Sequence, residues 1–97
     1  MLFEWDAAKS WRNLNERGFG FDYAAKMFLG PTLEKEARRR DFREVRIQAI
    51  GEVNNDVLFV VYTDRGNVRR IISARLANRK ERKRWHTFAE QQKTSDA

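Results

Sequence analysis

Hydrophobic positions recur along this chain with two different periods, and the change of period predicts its secondary structure. Near the N-terminus they recur at spacings of three and four residues, which is typical of an amphipathic helix. This spacing predicts a first helix over about residues 6–17, with Asp6 as its N-cap and Gly18 as its C-terminal stop. The apolar residues of this helix are Ala7, Ala8, Trp11 and Leu14.

A second, shorter helix is predicted from Tyr23 to Leu29. Asp22 offers it an N-cap, and the pair Gly30-Pro31 ends it. The following segment is ambiguous, because Leu33–Glu36 fits a short edge strand while residues 38–41 form a charged run typical of an exposed turn.

From Glu44 onward the period becomes two, which predicts three strands joined by turns at residues 53–56 and 64–67. The first strand is half-buried, and Val57–Tyr62 is apolar on both faces, as expected of a central strand. The third strand covers Val68–Arg75. Three residues of the first strand share its core face: Val45, Ile47 and Ala49. Strict alternation in the third strand places Arg69, Ile71, Ser73 and Arg75 on one face, opposite Val68, Arg70, Ile72 and Ala74.

The last predicted element is a helix over about residues 78–91. Asn78 and Glu81 have the spacing of a capping box, and Trp85 and Phe88 lie on the same helical stripe as Glu81. Residues 91–97 lack apolar anchors, so a frayed tail is expected. The pattern therefore predicts one α+β domain over residues 1–90. It comprises a small antiparallel sheet of three long strands, a short edge strand if Leu33–Glu36 is extended, two N-terminal helices and one C-terminal helix.

Composition narrows the function classes. A chain of 97 residues fits one domain. The sequence has no cysteine and a single histidine, His86, which disfavours thiol chemistry and a metal cage and leads us to expect no cofactor. No stretch approaches the roughly 20 apolar residues of a membrane span. The acidic N-terminus is unlike a secretory signal, so a cytoplasmic location is expected.

The positive charge is concentrated late in the chain. Lys and Arg number 20 against 14 acidic residues, and from Arg65 to Trp85 nine bases accompany one acid, Glu81. This density predicts a polyanionic partner such as RNA. A solvated surface, or a docking face for an acidic protein segment, is the alternative. The side chains predicted to bind RNA are Arg69, Arg79, Lys80, Arg82, Lys83 and Arg84.

Few catalytic motifs are available to this sequence. It lacks a dinucleotide fingerprint, a P-loop and a serine nucleophile elbow. Cleavage of RNA remains, because the substrate supplies its own 2′-hydroxyl nucleophile and arginines can stabilise the charged phosphorane. We expect three arginines to converge on one phosphate, namely Arg46, Arg65 and either Arg69 or Arg75, with the polar Glu44 flanking them. The alternative is that these arginines pair with Glu44, Glu52 or Asp64 across strands.

Three other side chains have open interpretations. His86 can carry a proton near neutral pH or be an idle surface histidine. Tyr62 can donate a proton or simply end the central strand with its hydroxyl at the surface. Trp85 can stack on a base or pack against the sheet.

Several motifs in order resemble the BrnT toxins, ribonuclease components of type II toxin–antitoxin pairs with a RelE-like fold. The resemblance covers about residues 2 to 90. It is carried by Phe3-Glu4-Trp5-Asp6, Lys9, Asn13, Phe21, Glu44, Arg46, Ile50-Gly51, Val60-Val61-Tyr62-Thr63-Asp64-Arg65, Arg70-Ile71-Ile72-Ser73-Ala74-Arg75, Ala77 and Glu81-Arg82.

The resemblance implies a metal-independent endoribonuclease in which Arg65 and Arg75 are catalytic, with Glu44 and Arg46 beside them. It also implies a tight BrnA-like antitoxin that carries a ribbon-helix-helix part, so that contact with DNA is made only through the antitoxin. Two positions differ from the residues usual in the family, which has histidine where this chain has Arg17 and tyrosine where it has Trp85. A non-catalytic module that binds RNA or an antitoxin is the alternative function.

Overall fold

The computed structural model describes residues 1–37 and 43–95 of the chain, with side chains through residue 93. The predicted turn at 38–41 lies outside the described residues. These described residues form five strands, three α-helices and one 3₁₀ turn. In order they are β1 (Leu2–Trp5), α1 (Ala7–Arg17), α2 (Phe21–Ala25), a 3₁₀ turn (Lys26–Leu29), β2 (Leu33–Ala37), β3 (Arg46–Val53), β4 (Asp56–Arg65), β5 (Val68–Leu76) and α3 (Arg79–Ser95).

The strands form one mixed sheet in the order β1-β5-β4-β3-β2. The predicted α+β class, the three long strands and the edge strand at Leu33 are confirmed. The expectation of a purely antiparallel sheet is wrong, because β1 pairs in parallel with β5 at the other edge. Four residues are too short a segment for alternation to distinguish a strand from a loop, and the pairing with β5 is what orders them.

Each face of the sheet carries its own core. The face that we call the helix face packs against α1, α2 and the 3₁₀ turn, with Phe21, Met27 and Leu58 fully buried in that core. On the opposite face a smaller cluster includes Trp85 of α3, packed on Ile50. In the described part of the chain α3 covers only one end of this second face, and we call the remainder the open face.

Helix α1 has the predicted ends, but its large apolar side chains are exposed. The Asp6 carboxylate accepts a hydrogen bond from the backbone N–H of Lys9, and Gly18 closes the helix with a left-handed φ of 88°. Trp11 and Leu14, the two large apolar residues of the helix, are 66% and 42% exposed. The helix is instead held by polar contacts, which periodicity does not reveal.

Asn13 is the buried residue of α1. Its side-chain amide donates a hydrogen bond to the backbone oxygen of Phe19 at 3.0 Å and accepts one from Arg17. Arg17 also donates to the backbone oxygen of Ala74 in β5, at 2.9 Å. Arg17, at the position where the resemblance implies a histidine, therefore ties α1 to the sheet.

We expect Asn13→Ala to lower the free energy of unfolding by about 1–3 kcal/mol, because it leaves the backbone oxygen of Phe19 without its partner. Trp11→Ala is expected to cost under about 1 kcal/mol, as for other exposed positions. Urea unfolding of the two variants checks the order, and a larger loss for Trp11→Ala would contradict this description of α1.

Helix α2 begins one residue before its predicted N-cap. Gly20 is the N-cap residue, and the backbone N–H of Phe21 donates to the hydroxyl of Ser10, at 2.9 Å. Asp22 lies in the first turn, so its predicted role as N-cap is wrong. The cap is supplied from α1, which only the tertiary structure brings close.

A bulge in the pairing of β4 with β5 changes the predicted faces of β5. Val61 pairs with Ser73, but Tyr62 pairs with Ile71, so Ile72 is an extra residue. Beyond the bulge the alternation is reversed. Arg69 and Ile71 therefore share the helix face with Ala74, whereas Arg70, Ser73 and Arg75 belong to the second face.

Helix α3 begins with the predicted capping box. The backbone N–H of Glu81 donates to the Asn78 side chain at 2.9 Å, and the backbone N–H of Asn78 donates to the Glu81 carboxylate at 2.8 Å. The helix continues to Ser95, although the sequence predicts its end near residue 91. Trp85 is buried and donates its indole N–H to Glu52, so the packing interpretation is confirmed.

Candidate functional site

The open face carries the four side chains that the sequence assigned to the reaction centre, Glu44, Arg46, Arg65 and Arg75. At its end near the β4–β5 turn, Arg65 donates two hydrogen bonds to Glu44, at 3.2 and 3.3 Å. The Glu4 carboxylate lies 3.8 Å from Arg65 and 3.6 Å from Arg70. Two carboxylates and two guanidinium groups thus form one exposed cluster, which we call the Arg65 cluster.

The charges of the Arg65 cluster stabilise one another. The hydrogen bond from Arg65 lowers the pKa of Glu44, and that same bond raises the pKa of Arg65. Glu44 is therefore ionised near neutral pH and able to accept a proton. An anion that draws Arg65 away from Glu44 will raise the pKa of this carboxyl and make it a stronger base.

Sequence reasoning did not select Glu4 or Arg70. Both belong to this cluster because β1 pairs with β5, which places Glu4 directly beside Arg70. The sequence signal for Glu4 is its place in the Phe3-Glu4-Trp5-Asp6 motif, which is one of those that carry the family resemblance.

Arg75 lies at the other end of the open face, against the start of α3. It donates two hydrogen bonds to Glu81, at 2.8 and 2.9 Å, and its guanidinium lies 4.2 Å from the centroid of the Phe59 ring. The pair raises the pKa of Arg75 and lowers that of Glu81. Glu81 therefore joins the capping box of α3 to the sheet.

This pair predicts a particular loss of stability in acid. Because the folded-state pKa of Glu81 is lowered by the hydrogen bonds from Arg75, its contribution is complete above the ordinary glutamate value of 4.5 and is lost as the pH falls through the lower folded value. In Glu81→Gln, the free energy of unfolding is expected to decrease less as the pH falls from neutral to roughly pH 3. Urea unfolding at a series of pH values measures this dependence. Glu90→Gln, on the exposed surface of α3, is the control, and an unchanged pH dependence in Glu81→Gln would contradict the assignment.

The two arginines that resemble the family's catalytic pair do not meet in the observed conformation. Arg75 pairs across the sheet with Phe59, and Phe59 lies six residues before Arg65 on β4. At about 3.3 Å per residue the backbones are roughly 20 Å apart. Each guanidinium is also held at its own end by a carboxylate. The expected convergence of both arginines on one phosphate is therefore not observed.

Arg69 and Tyr62 lie on the helix face, away from the Arg65 cluster. Arg69 donates to Asp64 and stacks 3.9 Å from the centroid of the Tyr62 ring. The Tyr62 hydroxyl donates to Glu34 at 2.9 Å. Burial, followed by this hydrogen bond, raises the pKa of Tyr62. Its expected hydroxyl at the surface is not found, since the side chain is buried.

Arg46 begins β3 with a half-buried side chain, on the open face that also carries Arg70.

The bases of α3 divide between two sides of the helix. Lys80, Lys83 and Arg84 line a groove of about 750 Å³ that also includes Leu33 and Phe88. The remaining predicted residues, Arg79, Arg82 and His86, are exposed but do not line this groove.

Two further observations concern the described residues alone. Residues 1–37 and 43–95 contain no cluster of three or more histidine, aspartate or glutamate side chains placed to hold a metal ion. Within the same ranges, no helix is both long and apolar enough to span a membrane.

Comparison with known proteins places these features in a family. No curated protein matches the chain. Residues 5–81 match the family model described as ribonuclease toxin, BrnT, of type II toxin-antitoxin system. The match covers most of the chain. It includes Glu44, Arg65 and Arg70 of the Arg65 cluster and the Arg75–Glu81 pair, whereas Glu4 lies just before its first residue. The protein therefore belongs to the BrnT family of type II toxin–antitoxin ribonuclease toxins.

Proposed function

We propose that this toxin is a metal-independent endoribonuclease whose reaction centre is the Arg65 cluster. The observation that carries the proposal is the doubly bonded pair of Arg65 and Glu44 on the exposed end of the open face. It combines a phosphate ligand with a carboxylate that can accept a proton. Family membership supports RNA cleavage as the reaction, and the Arg65 guanidinium and the Glu44 carboxylate are groups suited to it.

The proposed reaction uses the RNA's own nucleophile. Glu44 takes the proton of a 2′-hydroxyl, and the 2′-oxygen forms a bond to the adjacent phosphorus. The bond from phosphorus to the 5′-oxygen breaks, and that oxygen takes up a proton from water. The products are a 2′,3′-cyclic phosphate and a 5′-hydroxyl. Arg65 and Arg70 stabilise the charge that develops on the phosphorane.

The remaining basic side chains are proposed to hold the rest of the strand. Arg75 contacts a different phosphate, since roughly 20 Å of sheet separates its backbone from that of Arg65. Arg46 contacts a phosphate near the centre. The bases of α3 attract the RNA electrostatically, and this contribution weakens with salt.

The test is incubation of the purified toxin, freed of antitoxin, with total RNA in EDTA. Cleavage that ends in 2′,3′-cyclic phosphates, and that Glu44→Gln reduces, is the expected result. Arg12→Ala is the matched control. Arg12 is an exposed arginine of α1, and α1 packs on the opposite side of the sheet from the Arg65 cluster. Cleavage that requires an added metal, or that Glu44→Gln leaves unchanged, contradicts the proposal.

A non-catalytic binding module is the second candidate function. It is favoured by the pairing of Arg65 with Glu44 and of Arg75 with Glu81, which neutralises both arginines in the free protein. Arg17, in place of the family's usual histidine, also has a structural role in this chain. This function predicts RNA binding that weakens with salt and no cleavage under any of these conditions.

Membership of a type II toxin–antitoxin family also implies an antitoxin partner. We infer that it is a BrnA-like protein with a ribbon-helix-helix part, that it covers the basic face in the cytoplasm, and that DNA is contacted only through it. Co-expression with a small DNA-binding protein encoded beside the toxin gene is expected to yield a stable complex without RNA cleavage. Failure of the two proteins to co-purify contradicts this assignment.

A further inference from the structure

A small pocket opens on the sheet face between β2, β3 and α3. Its volume is about 200 Å³. Apolar side chains from three strands line it, namely Leu33, Ile50 and Phe59. The polar lining residues are Glu34, Lys35, Gln48 and Arg84. The larger groove beside α3 shares Leu33 and Arg84 with this pocket, so the two lie side by side.

The size of the pocket limits its occupant. Pockets for drug-sized ligands measure about 300–1,000 Å³, so a volume near 200 Å³ suits a single ring system. Basic side chains stand on two sides, Lys35 on β2 and Arg84 on α3. Such surroundings favour an apolar ring attached to a phosphate backbone over a free apolar ligand.

The side of the pocket nearest the centre of the sheet is formed by Phe59, whose ring is stacked with the guanidinium of Arg75. The Arg75 guanidinium lies 4.2 Å from the centroid of the Phe59 ring. Unpaired RNA bases are commonly recognised by stacking on aromatic rings and on arginine planes. An inserted base would thus contact the same Phe59 that packs beneath Arg75.

Gln48 supplies the group that can read the edge of a base. It pairs with Lys35 on one side and Val61 on the other, in the middle of the open face. Among the described residues no side chain or backbone group makes a hydrogen bond with its amide. A glutamine amide carries a donor and an acceptor side by side, which matches N6 and N7 of adenine.

We propose that this pocket binds one unstacked adenine of the substrate RNA and that Gln48 is the residue that recognises it. The inference rests on the proposed ribonuclease function for the identity of the polymer. It goes beyond that function, because it assigns a base preference to a surface outside the Arg65 cluster. Lys35 and Arg84 contact the neighbouring phosphates without regard to sequence.

The test measures binding separately from cleavage. Octameric oligouridylates carry a single central adenine, guanine or cytosine, and every sugar has a 2′-O-methyl group, so that no 2′-hydroxyl is free to attack a phosphate. Fluorescence anisotropy is expected to show tighter binding of the adenine oligomer. Gln48→Leu, which keeps volume and removes the amide, is expected to abolish a preference of about 5- to 150-fold, the value of one bidentate contact.

Two variants control for general effects. Gln91→Leu removes an exposed amide from the larger groove, outside the small pocket, and is expected to retain the preference. Lys35→Ala is expected to weaken the binding of all oligomers alike. It is also expected to reduce the salt dependence of binding by the amount that corresponds to about one phosphate contact.

The outcomes separate this inference from the proposed function. Equal binding of all oligomers by the wild type, or the same preference in Gln48→Leu, overturns the inference. A preference for another base that Gln48→Leu abolishes overturns the adenine assignment. If the protein does not cleave total RNA, the proposed ribonuclease function fails. Selective binding of the adenine oligomer will then still support the assignment of the pocket as an adenine site.

Discussion

Replacing Arg65 with alanine is expected to lower RNA cleavage by about 100- to 1,000-fold, which is the usual effect of removing one donor that stabilises a developing oxyanion. The Arg65 side chain is 54% exposed, and its partners Glu44 and Glu4 are also partly exposed. The substitution removes surface ion pairs, which contribute about 0–1 kcal/mol, so the fold is expected to survive.

The measurement is the initial rate of cleavage of a defined RNA in EDTA, with circular dichroism and urea unfolding as checks of the fold. Arg65→Lys keeps the charge but loses the forked contact, so an intermediate rate is expected. Arg12→Ala is expected to cleave like the wild type. A loss of only a few-fold in Arg65→Ala would remove Arg65 from the reaction centre.

Replacing Arg75 with alanine is expected to reduce both cleavage and stability. Loss of a phosphate contact lowers kcat/KM by about 10- to 150-fold, equivalent to a hydrogen bond between charged groups. The substitution also leaves the buried carboxylate of Glu81 without its cation. We expect the free energy of unfolding to fall by about 1–3 kcal/mol, because Glu81 is only 5% exposed but Arg75 itself remains partly in solvent.

A double variant separates the two effects. Arg75→Ala combined with Glu81→Gln removes the unpaired charge, while the amide oxygen can still accept the hydrogen bond from the Asn78 backbone. Stability is expected to recover in part, whereas cleavage stays low. If recovered stability also restores full cleavage, Arg75 acts only through the fold and makes no phosphate contact.

Much of the fold follows from neighbours in the sequence. Asp6 and Gly18 delimit α1, and Asn78 with Glu81 begins α3, because each of these caps is made within one helical turn. The long strands were predictable, since the first and third show a period of two and Val57–Tyr62 is apolar on both faces. The BrnT resemblance was also present in the sequence, as the match over residues 5–81 confirms.

The site could be predicted only in part. Glu44 and Arg65 were expected together and are found together. Glu4 was missed, because its place beside Arg70 depends on the parallel pairing of β1 with a strand more than sixty residues later. Alternation assigned Arg69 and Arg75 to one face, and the additional residue at Ile72 puts them on opposite faces.

The sequence by itself therefore determined the α+β class, both ends of α1, the start of α3, the basic character of residues 65–85 and the family, since these depend on composition and short-range spacing. The tertiary structure decided which arginines share a face, which carboxylate holds each of them and where α1 is buried. Register across strands, bulges and contacts between distant segments set these features, and a local pattern carries no information about them.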